Sequence, residues 1–107
     1  MLTSQIHNEA LLAAQEATEK FMDKYPDFMG ACGFAWVTAY VKGNTKLGKS
    51  FINLGFEKSY SGGYQIWNPG GSNSQNIDLK EAGANAYVQV IRKYLPEVKI
   101  YSHSRMD

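Results

Sequence analysis

The segment Gly33 to Val41, GFAWVTAYV, constrains the fold more than any other part of the chain. Phe34, Trp36, Thr38 and Tyr40 alternate with Ala35, Val37, Ala39 and Val41, and successive side chains of a β-strand point to opposite faces. Small aliphatic groups on one side let helices approach closely. The other side carries large aromatic rings and needs a cover of another kind. The pattern predicts a central strand over 33–41, packed by helices on its aliphatic side, and makes the covering of its aromatic side the question on which function turns.

Flanking periodicities supply the other elements. Over the first 25 residues, Leu2, Ile6, Ala10, Ala13, Ala17 and Phe21 recur at spacings of three and four, with Glu9, Glu16, Glu19 and Lys20 off the stripe. These spacings predict a helix capped by Thr3 or Ser4 and ended by Pro26. Asn44 or Thr45 can cap a short helix in which Leu47, Phe51 and Leu54 share a face, with Gly55 and Phe56 as its stop. Phe56 to Tyr60 and Tyr64 to Asn68 read as strands joined through Ser61, Gly62 and Gly63. NPGGSNSQN, residues 68–76, reads as an exposed polar loop. Asp78 with Glu81 makes a capping-box pattern opening a last helix, onto which Ile77 can staple at Ala82. That helix runs to about Leu95 before Pro96, and Val98 to His103 forms a final strand.

The order α-β-α-β-β-α-β gives an α+β fold of two layers, three helices packed on one face of a small mixed or antiparallel sheet of about four strands. With 107 residues, 44% of them hydrophobic, the chain is one domain with a core of its own. One cysteine excludes an internal disulfide, and with two histidines a Cys/His zinc site is out of reach, so no metal and no cofactor is expected. No apolar run approaches the roughly 18 residues of a membrane span, and the first residues lack the basic start of a secretory leader. The expected setting is therefore cytoplasmic, with no membrane partner. A formal charge of +1 argues against duplex DNA as a partner, although the charge is unevenly spread, at −3 over residues 1–29 and +4 over residues 30–107.

Residues 43–50, Gly-Asn-Thr-Lys-Leu-Gly-Lys-Ser, match the phosphate-binding loop pattern formally. In that reading Lys49 would reach phosphates and Ser50 would ligate magnesium, giving a nucleotide- or phosphate-dependent enzyme. Three features oppose it: Gly55 would end the helix after little more than a turn, no later strand ends in a metal-holding aspartate, and about four strands are too few for the parallel sheet of such enzymes. The plainer reading is a helix starting at Thr45 with Gly48 in its interior. Lys42, Lys46, Lys49 and Lys58 nonetheless face only Glu57 between positions 42 and 58, and a lysine-rich helix start attracts anions.

Strand parity groups Phe34, Trp36 and Tyr40 with Lys58 and Tyr60, with Gln65 and Trp67, and with Lys99, Tyr101, His103 and Arg105. Aromatic rings among cations on an open sheet can stack bases or nucleotides. A broad apolar face can equally be buried against a second copy, so a homodimer is the expected assembly. Cys32 would be a nucleophile only with His103 beside it, and otherwise reads as a small buried hydrophobe. Glu16 with Glu19 and Asp23 with Asp27 read as the solvated face of the first helix, and His7 as a surface or edge residue.

From Cys32 to Asp107 the chain resembles a group of small proteins encoded by tailed bacteriophages, on the strength of CGFAWV, GNTKLGK, LGF, SGG followed by WNP, and the final Ser-Arg-Met-Asp. The resemblance implies an accessory protein inside the host cell and carries no activity with it. LGF also resembles one turn of N-acetyltransferases, but their Arg/Gln-x-x-Gly-x-Gly/Ala acyl-CoA loop is absent.

The resulting expectation is a non-catalytic protein that binds a partner or an anionic, nucleotide-like small molecule. Trp36, Tyr40, Trp67, Tyr101, His103 and Arg105 would act on the sheet, and Lys46 and Lys49 at the helix start. A purely structural dimeric module is the third reading.

Overall fold

The computed structural model describes residues 1–26 and 30–107. Asp27, expected to pair with Asp23 on the surface, lies outside the described residues. The elements are α1 (Ser4–Lys24), β1 (Gly33–Ala39), α2 (Lys46–Asn53), β2 (Glu57–Lys58), β3 (Tyr64–Trp67), α3 (Ile77–Tyr94) and β4 (Ile100–Met106). The strands form one sheet in the order β2-β3-β1-β4, every neighbouring pair antiparallel. From β1 onward this is the split βαβ, or ferredoxin-like, arrangement, with α1 added in front. β1 and β3 occupy the middle, and the fold is α+β as the element order predicts.

The aliphatic side of β1 is the floor of the core. Ala35, Val37 and Ala39 are buried, and α3 lies across β1 and β4 with Tyr87, Val88 and Ile91 turned inward. Phe51 from α2 meets Phe56 edge-on at 5.1 Å, and Phe56 lies 6.2 Å from Tyr87, so one aromatic chain ties α2, the start of β2 and α3 together.

Packed along α3, α1 buries a line of residues rotated from the expected one: His7, Ala10, Ala14 and Thr18 are inside, whereas Ala13, Ala17 and Phe21 are only partly covered. The reason lies in α1's neighbours. A Cβ on Gly83 would sit 3.1 Å from both the Gly70 Cα and the Thr18 Cγ2, so α1, α3 and the 68–71 turn touch nearly backbone to backbone. Pro69 and Gly70 are accordingly buried, which corrects the expectation of a fully exposed loop. His7 is also buried rather than at the surface, because its Nδ1 shares a 2.8 Å hydrogen bond with the Tyr87 hydroxyl. At the exposed rim, Lys93 Nζ reaches Glu9 at 2.8 Å and the Tyr94 hydroxyl donates to the same carboxylate at 2.6 Å, an arrangement worth little individually.

Several element ends differ from the sequence reading, each because a local bond captures a backbone group. Asn76, not Asp78, caps α3: its Oδ1 accepts from the N–H groups of Asp78 at 2.8 Å and Leu79 at 3.3 Å. Asp78 is left in the first turn, where its charge suits the helix dipole. β2 stops at Lys58 because the Ser59 N–H donates to Gly63 O at 3.0 Å, closing the hairpin early, with Gly62 and Gly63 at positive φ. β4 starts at Ile100 rather than Val98 because the Val98 N–H turns back to Leu95 O at 3.0 Å, and it continues to Met106, paired with Gly33.

Thr45 caps α2, its Oγ1 accepting from the Gly48 N–H at 3.0 Å. Gly48 is buried in the first turns of the helix, and a Cβ there would overlap the Lys42 carbonyl oxygen. A glycine is therefore required at this point by packing. Ser50 is likewise engaged: its hydroxyl accepts from the Leu2 N–H at 2.9 Å and donates to Leu47 O at 2.5 Å, joining α2 to the start of α1.

Two outcomes are expected. Gly48→Ala in a free helix would gain about 1 kcal/mol, but here it should lose about 1–3 kcal/mol by overpacking, read as a Tm fall of several degrees. Burial holds the His7 imidazole below its ordinary value of 6.5. The unfolded chain therefore takes up the proton first, so stability is intact above about pH 6.5 and falls as the pH drops below it, at no more than about 1.4 kcal/mol per pH unit. Thermal melts between pH 7 and pH 5 should show this slope, and His7→Gln should flatten it.

Candidate functional site

The face of the sheet opposite α3 is uncovered among the described residues, and the strand registers arrange it in rows. Trp36 on β1 has Trp67 of β3 on one side and His103 of β4 on the other. The next row reads Glu57, Gln65, Thr38 and Tyr101. At one end Arg105 lies beside Phe34, and at the other Tyr40 lies beside Lys99, whose carbonyl accepts the Tyr40 N–H at 2.8 Å.

The rings touch. Trp36 and Trp67 are 4.8 Å apart and tilted by 40°, Trp36 and His103 stack at 5.7 Å, and Phe34 meets Trp67 edge-on at 6.4 Å. Tyr40 and Tyr101 lie 6.0 Å apart. Over this surface is a recess of about 290 Å³ floored by Trp36, Thr38 and Gln65, with Tyr60 and Ser61 of the β2–β3 turn on one side and His103 and Arg105 on the other. Thr38 is 3% exposed while Trp67 is 49% exposed, so the recess is a shallow trough with an aromatic wall.

Of the eight residues singled out from the sequence, Trp36, Tyr40, Trp67, Tyr101, His103 and Arg105 share this face. Lys46 and Lys49 do not: they are exposed on α2 and take no part in the recess. Lys58 also leaves the face, because its register partner Tyr64 stands opposite Ala39 on the helix side, and Glu57 takes its place. A one-residue change in where β2 begins is enough to exchange them.

The electrostatics of the face are one-sided. Lys99, His103 and Arg105 line β4, Glu57 is at the far edge, and neither Lys99 nor Arg105 has a carboxylate partner among the described residues. Lys80 adds a charge that sequence reading missed. It is buried on α3, its Nζ donates to Gly33 O at 3.0 Å, and it stands 5.4 Å from the Phe34 ring centre. Nothing in the α3 pattern marks it, since a lysine in the first turns of a helix normally reads as solvated.

Cys32 is exposed rather than buried. Its carbonyl accepts from the N–H of Asp107, just past the end of β4, while His103 is paired with Trp36, so thiol and imidazole are not neighbours. No group of three His, Cys, Asp or Glu side chains among the described residues could hold a metal ion, and no helix there is long and apolar enough to cross a membrane. What the arrangement can do chemically is stack flat rings and neutralise negative charge.

Side chains exposed on this open face should tolerate truncation. Tyr40→Ser and Arg105→Ser are each expected to cost less than about 1 kcal/mol, whereas Phe56→Ala in the core should cost about 3–5 kcal/mol; chemical denaturation of the three variants checks the contrast. Comparison of the chain with protein-family models, with curated proteins and with solved structures finds no match.

Proposed function

We propose that this protein is a non-catalytic binding module that holds an anionic, planar, nucleotide-like ligand on the open face of its sheet. The observation that carries the reading is the Trp67–Trp36–His103 row across the central strands, flanked by Arg105. Stacking on exposed aromatic side chains is worth about 1–3 kcal/mol per base and tolerates any base, because every base has a π-face. Arg105 supplies a cation in the trough for phosphate, with Lys99 farther along the same face beside Tyr40, and Gln65 supplies a neutral donor and acceptor on its floor.

The ligand belongs on the sheet rather than on residues 43–50 for a physical reason. Gly48 is needed for close packing against Lys42, and the Ser50 hydroxyl is bonded at both ends, so neither is available to phosphate or magnesium. An accessory role inside a phage-infected cell is compatible with such a module and rests on the sequence resemblance alone.

Titration of tryptophan fluorescence with mononucleotides and short single-stranded oligonucleotides tests the reading. Saturable quenching is expected, with Trp67→Ala weakening binding roughly 5- to 150-fold and Arg105→Ser reducing the salt dependence. The slope of log K against log salt should be shallow, about −1 to −2, because few phosphates are met. An unchanged affinity in Trp67→Ala, or no quenching at millimolar ligand, would overturn it.

A further inference from the structure

The geometry points to self-association through the β4 edge, two copies joining β4 to β4 antiparallel so that one sheet runs through both. This does not rest on the ligand reading, and it moves the expected dimer contact from the open face to the sheet edge.

β4 is a seven-residue edge strand without proline, whereas the opposite edge, β2, has only two residues. The direction of its backbone groups follows from two bonds: Lys99 O accepts from Tyr40, and the Asp107 N–H donates to Cys32 O at 3.0 Å. Odd-numbered residues therefore turn their N–H and C=O groups toward β1, and Ser102, Ser104 and Met106 turn theirs outward. Arg92 Nη2 donates to the outward carbonyl of Ile100 at 2.8 Å, which leaves that oxygen's second lone pair for another donor. The Ser102–Met106 stretch stays open as a template for another strand.

Side-chain charge selects the occupant. Outward backbone groups must meet outward backbone groups, so the register between two β4 strands can slip only in steps of two residues. In the register that sets Ser102 opposite Ser104 of a second copy, Lys99 falls opposite Asp107, Tyr101 opposite Arg105, and His103 opposite itself. Each end then gains an ion pair, and no two permanently charged residues of like sign stand directly opposite one another; the Tyr101 ring already has Arg92 5.3 Å from its centre. One step in one direction sets Lys99 against Arg105; one step in the other sets His103 against Arg105. Of these three registers only the first forms an ion pair, and it forms it twice, which favours a second copy of this chain over an unrelated peptide. The two-fold axis stands perpendicular to the sheet and leaves both open faces on the same side. Two Trp36–Trp67 surfaces become one continuous tract.

Sedimentation velocity of the full chain at low salt, over micromolar to near-millimolar concentrations, tests this. A dimer is expected, weakened at least tenfold by Lys99→Glu and by Asp107→Lys singly. The double variant Lys99→Glu with Asp107→Lys should return to within about threefold of the parent. Ser104→Pro removes an outward N–H that the monomer does not use and should abolish the dimer. The charge exchange decides the matter if that variant fails to fold. A monomer at every concentration, a dimer indifferent to a folded Ser104→Pro, or a double variant no stronger than the singles would each overturn the inference. Trp36→Ala should leave the dimer unchanged, which separates this result from the fate of the ligand reading.

Discussion

The structure depends on the contact between the aliphatic side of β1 and α3. Ala35, Val37 and Ala39 present so little bulk that Tyr87, Val88 and Ile91 of α3 come down flush on the strand, and α3 packs on β4 beside it. Hydrophobic burial at roughly 25 cal/mol per Å² is non-directional, yet here strand pleating gives it a direction. Every small residue placed inward forces its neighbour outward, and those neighbours are Phe34, Trp36 and Tyr40. The aromatic face and the core are two sides of one alternation.

β1 is also an interior strand, pairing with β3 on one side and β4 on the other. Trp36 meets Trp67 and His103 because each lies directly across a ladder from it. Nothing else brings these three residues together, since they are more than thirty positions apart in the chain. A substitution that moved the register by one residue would bury the aromatics and expose the alanines, so the core and the aromatic face are specified by the same pairing.

The 43–50 segment shows how packing can imitate a chemical motif. Its Gly-x-x-x-x-Gly-Lys-Ser spacing arises from a turn, a Thr45 cap, a glycine admitting the Lys42 carbonyl, and a serine tying α2 to Leu2. The sequence indicated this through Gly55, which leaves too little helix for the phosphate-loop alternative. Other signals misled. His7 reads as a polar surface residue because its partner, Tyr87, is eighty positions away, and the buried line of α1 is rotated because Gly70 and Gly83 draw Thr18 and Ala14 inward. Asp78 reads as a cap because Asn76 and Asp78 both suit that place, and only backbone geometry chooses between them.

The sequence by itself determined the element order, the α+β class and the two-sided character of β1, because these follow from local periodicity, capping and turn chemistry. It also determined which residues of β1 and β4 belong to one parity. Tertiary structure alone decided the sheet order β2-β3-β1-β4, the exclusion of Lys46, Lys49 and Lys58 from the aromatic face, and the burial of His7 and Lys80. Each of these is set by contacts between segments distant in sequence, where a shift of a single residue reverses which side chain faces solvent.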